Sequence, residues 1–241
     1  MKVIPVKIEK EIQLDDDLVP LISNSIEILD GDILIVAQKI ISKQEGRIVD
    51  LSTIQPSLLA QGLSSQYQKD PRIVELILSE SKKIVRMEHG VIIVETNNGF
   101  ICANAGIDES NVKDGFATLL PTDSDLSAQK LQNKIKQILG KDVSIIISDT
   151  FGRPFRMGQT NCAIGISGIN PILDYTGSSD VFGNILRVTA IAIADELCSA
   201  AELVMEKAKK SPVAIIRDYQ YQKGNKTIQE LIRSENEDLF R

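Results

Sequence analysis

IIISDTFGRPFRMGQTNCAIGI, residues Ile145 to Ile166, carries both a structural and a chemical signal. With Val143 and Ser144 before it, the run to Ile147 is short and apolar, as a buried strand is. The strand ends on Ser148-Asp149-Thr150. A carboxylate and a hydroxyl therefore stand at the carboxyl end of a strand, where α/β proteins tend to place ligands. Gly152, Arg153, Pro154, Arg156, Gly158 and Gln159 follow, a loop composition with two guanidiniums and no acid. Arginine grips a phosphate or carboxylate through two parallel hydrogen bonds. An oxygen-rich corner beside such a loop suggests a hard metal ion and nucleotide phosphate chemistry. The competing reading is a surface loop with ordinary ion pairs.

Working outward, Asp30-Gly31-Asp32 is a turn, and Ile33 to Val36 is a second buried strand. Residues 37–47 follow it, with Lys39 and Lys43 four apart and Gln38 and Ser42 at the same spacing. On a helix each pair shares a face. Two lysines just past a buried strand could hold phosphates as point charges; a solvated lysine pair has the same spacing. No GxxxxGK[ST] loop occurs, so the chain is not a P-loop protein. Asn104-Ala105-Gly106-Ile107-Asp108-Glu109-Ser110-Asn111 lies beyond another strand end. Its small residues allow close backbone approach. Asp108 and Asn111 supply oxygen ligands there, or else an Asx-type turn.

The remaining pattern is that of alternating helices and strands. Lys2 to Ile8 is a first strand. Asp15 to Asp17 cap a short helix over Leu18 to Ser25. Asp70-Pro71 starts a helix whose buried face is Ile73, Leu76, Ile77 and Ile84. Val91 to Glu95 and Phe100 to Ala103 flank Asn97-Asn98-Gly99 as a hairpin. Ser124 to Leu139 is an amphipathic helix stopped by Gly140. A polar, mobile connection spans residues 174–180. Arg187 to Lys209 is the longest helix candidate, with Asp195 and Glu196 in its middle. Its acids are accounted for if Asp195 pairs with a loop arginine and Glu202 faces water. Val213 to Ile216 is a strand, and Thr227 to Phe240 a charged helix.

Composition narrows the class. The chain has 241 residues, 43% hydrophobic and 25% charged, with a net charge of -6. That length fits one large domain or two small ones, and no composition break marks a boundary, so it reads as one domain over residues 1–241, with any smaller sub-lobe unbounded by the sequence. The acidic balance argues against a nucleic-acid or anionic-membrane binder. Cys102, Cys162 and Cys198 are odd in number and far apart, which excludes a disulfide framework or a zinc site. The one histidine, His89, precedes Gly90 and reads as a turn residue, so a Ser-His-Asp hydrolase is hard to build. No apolar block is long enough for a signal peptide or a membrane span, and the reading is cytoplasmic. The expected fold is mixed α/β of the α+β kind, with a largely antiparallel sheet and no Rossmann order.

Four motifs, GDILIVAQKIISKQEGR (Gly31 to Arg47), NAGIDESN (Asn104 to Asn111), SDTFGRPFRMGQTNCAIGI (Ser148 to Ile166) and ADELCSAAELVM (Ala194 to Met205), fall in order across most of the chain. Together they resemble the coenzyme F-420-0:L-glutamate ligase family, the γ-glutamyl ligases that finish the tail of an 8-hydroxy-5-deazaflavin coenzyme. The resemblance implies GTP-dependent amide formation on a lactyl-phosphate tail, with L-glutamate added usually twice, the second through a γ-linkage. It implies a divalent metal, Mg2+ or Mn2+, a monovalent cation, K+, and a two-lobed homodimer. By the same resemblance Asp108, Asp149 and Thr150 are metal ligands, and Gln38, Lys39, Lys43 and Asn111 contact GTP. The segment Glu9, Lys10, Glu11, Ile12 aligns with a further nucleotide-contacting stretch. Glu206 stands one residue from where a carboxylate can reach a second metal, and Phe155 and Asn161 stand where many relatives carry Trp and Asp.

The residues agree with that chemistry. Amide formation from a carboxylate needs a better leaving group, which phosphoryl transfer from GTP supplies as an acyl phosphate. Arg153 and Arg156 are the candidates for holding glutamate carboxylates or the acyl phosphate. A metal-dependent phosphohydrolase would use the same Asp108 and Asp149 but would not need all four motifs. A non-catalytic nucleotide- or deazaflavin-binding module would not need paired acids.

Overall fold

The computed structural model describes residues 1–238. In chain order its elements are β1 (Lys2–Val6), α1 (Leu18–Ser23), β2 (Ile33–Ala37), α2 (Gln38–Gln44), β3 (Ile48–Asp50), α3 (Leu58–Tyr67), α4 (Pro71–Ser79), β4 (Ser81–Glu88), β5 (Val91–Thr96), β6 (Ile101–Ala103), β7 (Phe116–Thr118), α5 (Ser124–Leu139), β8 (Ser144–Arg153), β9 (Arg156–Ser167), β10 (Leu173–Asp174), β11 (Ala190–Ile191), α6 (Ile193–Met205) and β12 (Val213–Arg217). The main sheet has the order β1-β12-β2-β8-β9. Only β2 and β8 run parallel; the other neighbours are antiparallel. The fold is α+β, as the sequence suggests.

The apolar runs explain the centre of this sheet. Ile33 to Val36, Ile145 to Ile147 and Val213 to Ile216 are all fully buried. Successive strand residues point to opposite faces, so unbroken burial means that both faces are covered. α5 packs on β8 and β9, and α6 packs across β1, β12, β2 and β9. A Cβ on Gly165 of β9 would lie 2.5 Å from the Ser124 backbone, so only glycine lets α5 approach this closely. Asp32, buried at the start of β2, takes two hydrogen bonds from Arg217 of β12, at 2.8 and 2.7 Å. That bidentate pair fixes the register of the two central strands.

A second hydrophobic cluster forms away from the sheet. Leu51, Ala60, Ile73, Val74, Ile77, Ile92, Val94, Ala117 and Leu119 make it, drawn from α3, α4, β5 and β7 with their flanks. α4 starts as its sequence dictates: Asp70 accepts from Arg72 N at 2.8 Å, and Pro71 opens the helix. The Asn-Gly hairpin forms between β5 and β6, with Gly99 at φ +89°. His89 sits at φ +49° in the β4–β5 turn, a turn residue as expected.

Several expectations need correction. α4 ends at Ser79, and Ile84 lies on β4, 38% exposed, not on the helix's buried face. The four charged residues among 81–88, Lys82, Lys83, Arg86 and Glu88, suit an edge strand, and they outweigh the helical spacing of one isoleucine. The helix expected from Arg187 to Lys209 is only α6: Val188, Thr189 and Ile191 are β-branched, Ala190 and Ile191 pair as β11, and Glu206 turns the chain out at φ +43°. α5, with 16 residues, is the longer helix. The helix expected over Thr227 to Phe240 is absent up to Asp238, where the described residues make 3-10 turns at Ile228–Leu231 and Glu235–Glu237; Leu239 and Phe240 lie outside the described residues. The connection after β10 is built of Asx turns, with Asp174 accepting from Thr176 N and Asp180 from Phe182 N and Asn184 N. Among the described residues no helix is long and apolar enough to cross a membrane.

Candidate active site

The parallel pairing of β2 with β8 ends at Ala37 and Ser148. Past that point β8 continues alone against β9, and its register with β9 shifts between Ile147 and Ser148. A bulge of this kind re-aims side chains and is common beside active sites. Here it turns Ser148, Asp149 and Thr150 toward a cleft of about 1120 Å³ between the sheet and the second cluster. The chain after β2 enters the same cleft as α2, whose spacing brings Lys39 and Lys43 to one wall. The turn after β6 brings the acid from the other side. Asn104, Ala105 and Gly106 have φ of +53°, +55° and +69° in succession. A Cβ on Gly106 would lie 2.7 Å from Leu120, so the turn must pass tightly there. Asp108 is then held by a two-way backbone bridge to Thr118, at 3.1 and 2.8 Å.

The residues picked from sequence converge unevenly. Glu9 to Ile12, Gln38, Lys39, Lys43, Asp108, Asn111, Asp149, Thr150 and Glu206 all line this cleft. Arg153 and Arg156 do not. The loop expected over Gly152 to Gln159 is the tip of the β8–β9 hairpin, turned by Pro154 and Phe155. The Arg153 guanidinium donates back to Met157 O at 2.6 Å, and Arg156 is exposed. Nor does Asp195 pair with an arginine: it accepts from Ala163 N at 2.8 Å. The helix places it against the β9 backbone, a partner that residue spacing does not reveal.

Electrostatics divide the two cleft aspartates. Lys39 Nζ lies 2.6 Å from Asp108 Oδ2 and 2.8 Å from Ser110 Oγ. Burial pushes the Asp108 carboxyl up, but hydrogen bonds from Lys39 and Ser110 outweigh it and hold the carboxyl below its usual range. Asp149 has no ion-pair partner among the described residues, and burial, with the neighbouring Asp108 charge, pushes it up to about 6. Lys43 Nζ is held by Glu11 at 3.2 Å and by the carbonyl of Asn111 at 2.8 Å. Gln38 accepts from Ser42 Oγ at 2.8 Å.

Two residues that the sequence did not single out for the site, Asn161 and Glu202, complete the wall. Asn161 is buried and lies between Thr150 and Glu202: Thr150 Oγ1 donates to Asn161 Oδ1 at 2.8 Å, and Asn161 Nδ2 donates to Glu202 Oε2 at 3.0 Å. A carboxylate can only accept, so it fixes the amide's direction, and the amide in turn makes Thr150 the donor. The lone pairs of Thr150 are left for the cleft. Glu202 does not simply face water. It follows buried Cys198 by four residues on α6, a spacing that places it on a packed face. Ser148 Oγ is buried without a hydrogen-bond partner. Cys102 also lines the cleft, but burial pushes its thiol up to about 12, which makes it no nucleophile near neutrality.

Among the described residues no group of three or more His, Cys, Asp or Glu could hold a metal by itself. Asp108, Asp149 and Thr150 instead offer two carboxylates and a hydroxyl, all hard oxygen donors. Mg2+ is commonly held this way, by one or two carboxylates with waters and substrate phosphates filling the rest. The donor set therefore fits Mg2+ or Mn2+ arriving with a nucleotide.

The chain matches the family model described as F420-0:Gamma-glutamyl ligase over residues 7–218. It is 44% identical over 234 residues to the coenzyme F420:L-glutamate ligase of Methanothermobacter thermautotrophicus, covering 94% of this chain and 93% of that one. The Methanopyrus kandleri protein of the same name is 42% identical, with 100% and 98% covered, and that of Methanocaldococcus jannaschii 46% identical, with 88% and 85% covered. With its cleft residues carried on the matched segment, this chain belongs to the F420-0:gamma-glutamyl ligase family.

Proposed function

We propose that this chain is a cytoplasmic GTP-dependent ligase that joins L-glutamate, usually two residues with the second γ-linked, to the lactyl-phosphate tail of F-420-0 through an acyl phosphate. The observation that carries this reading is the division of charge in one cleft: Asp108 is paired with Lys39, while Asp149 forms no ion pair among the described residues. Lys39 and Lys43 stand on one helix face to hold the phosphates, and their present partners Asp108, Glu11 and the Asn111 carbonyl would yield to or share them with the nucleotide. Asn111, at φ +55°, holds the turn through which Lys43 is placed. Asp108, Asp149 and Thr150 would hold Mg2+ or Mn2+, with Glu206 of the same cleft as a further candidate, and the ion would supply neutralisation of charge on the phosphoryl oxygens. K+ belongs to the same reading.

The homodimer belongs to it as well. Phe155 and Met157 on the β8–β9 tip, and Val181, Phe182 and Val188 on the arm between β10 and β11, are each more than 85% exposed. Exposed apolar surface of this kind marks association sites, and a second copy is the partner we propose. The roles of Arg153 and Arg156 in holding glutamate carboxylates or the acyl phosphate then require the tip to reach the cleft of that copy. The test is mass analysis of a reaction containing F-420-0, L-glutamate, GTP and Mg2+. An acceptor heavier by one or two glutamyl residues, with GDP formed, supports the proposal; an unchanged acceptor in the presence of folded, GTP-binding protein refutes it.

A further inference from the structure

The cleft contains more acid than phosphate and metal binding use. Glu9 faces Lys210 at 3.1 Å, Glu11 faces Lys43 at 3.2 Å, Asp108 faces Lys39 at 2.6 Å, and Glu206 pairs with Lys209. Asp149 belongs with Asp108. Glu202, in the last turn of α6, is the carboxylate left over. It is half-buried, and among the described residues no lysine or arginine forms an ion pair with it. Its Oε2 is fixed by Asn161 Nδ2 at 3.0 Å, while Oε1 has no donor among the described residues. A single amide separates it from Thr150 Oγ1, which lies 2.8 Å from Asn161 Oδ1.

A carboxylate that lines a substrate cleft and has no cation of its own is a ready partner for an ammonium, through a charge-assisted hydrogen bond. The ligase reading, on which this inference rests, requires such a cation. The L-glutamate amine enters as an ammonium, and it must lose a proton beside the acyl phosphate, close to the Asp149–Thr150 corner. We infer that Glu202 receives the amino group of the incoming L-glutamate and accepts its proton. The ammonium transfers one proton to Glu202, and the nitrogen lone pair attacks the acyl carbon. The new C–N bond forms, the C–O bond to phosphate breaks, and phosphate leaves with the bonding pair. The second proton leaves the nitrogen with the departing phosphate, and Glu202 returns its own to water. Asn161 holds the carboxylate in place and is a positioning residue.

Hydroxylamine separates this role from a structural one, because it is an uncharged nucleophile at neutral pH and needs no acid to bind or deprotonate an ammonium. Wild type, Glu202→Gln and Glu202→Asp are assayed with GTP, Mg2+ and F-420-0, with L-glutamate or hydroxylamine as nucleophile and product mass as the readout. Glu202→Gln should lower kcat/KM for glutamate by about 100-fold or more, the scale of a lost acid–base group, with part of that loss in KM. Its hydroxamate rate and GTP affinity should change by less than about threefold. Glu202→Asp should recover part of the glutamate rate. Equal loss with both nucleophiles would assign Glu202 to holding Asn161 and Thr150 only, and no loss with either would remove it from the reaction; each overturns the inference while leaving the ligase standing. A wild type that makes neither product would overturn the ligase reading and this inference with it.

Discussion

Two basic regions of the molecule can be compared, α2 and the β8–β9 hairpin tip. Both supply two cations within a few residues, and both follow a buried strand. On α2, Lys39 and Lys43 are turned into the cleft and held by Asp108, Glu11 and backbone carbonyls. On the tip, Arg153 folds back on its own hairpin and Arg156 points to solvent. What separates them is the scaffold. A helix at spacing four commits both side chains to one face, whereas a hairpin extended past the edge of its sheet carries its side chains away from the body. Within one copy, cation count near a strand end does not bring charge to the cleft; the direction the scaffold imposes does.

The largest effect should come from the acid that the α2 lysines leave unpaired. Asp149→Asn should lower turnover by about 10²–10³-fold or more, the scale of losing one charge-stabilising group in a reacting site. Near-normal steady-state turnover in the folded variant would dissolve the contrast, since the cleft would then hold no functional acid at Asp149.

The same substitution should raise stability in metal-free buffer at pH 8. Asp149 is raised in the fold to about 6 from 3.8. The native state therefore binds this proton more tightly than the unfolded chain, so its ionisation destabilises the fold as pH climbs through that window. Asp149→Asn should gain up to about 3 kcal/mol at pH 8, and the gain should fall to roughly 0.5 kcal/mol near pH 4. Denaturant unfolding at the two pH values reads it. A variant less stable than wild type at pH 8 would mean that Asp149 is satisfied in the cleft after all.

Between the two basic regions, Lys43→Ala should weaken GTP binding by about 1.5–3 kcal/mol, or about 10- to 150-fold, for one lost charge-assisted contact. Calorimetry that finds unchanged affinity would make Lys43 a solvated lysine like any other. Arg156→Ala should leave GTP affinity within about 0.5 kcal/mol, as surface substitutions do. A loss as large as that of Lys43→Ala would show that the tip reaches nucleotide, and the comparison would fail from the other side.

What the sequence made legible follows from range. The lysine pair, the Asp70-Pro71 start, Gly140 and the Asn-Gly hairpin are local signals, each readable within a few residues, and each is in place. Asp108 was legible because it lies beyond a strand, and Asp149 because the apolar run stops at Ile147, although β8 itself does not end there but runs on to Arg153. β4 was not, because one isoleucine at helical spacing masked a charge-rich edge strand. The hairpin tip read as a loop because Gly and Pro mark turns without saying how far the strands around them extend. Glu202 and Asn161 were missed because their partnership joins α6 to β9 over 41 residues of chain.

The central claim is that this cleft couples GTP cleavage to amide formation. An acyl phosphate is lost to water unless both organic substrates are assembled around it. The direct measurement is phosphate release with each component omitted in turn, with product mass followed alongside. Release should be slow with GTP and Mg2+ alone and should rise only when F-420-0 is present, giving one GDP and one phosphate for each glutamate attached. Rapid GTP cleavage that ignores both F-420-0 and glutamate, with no gain in acceptor mass, would contradict it.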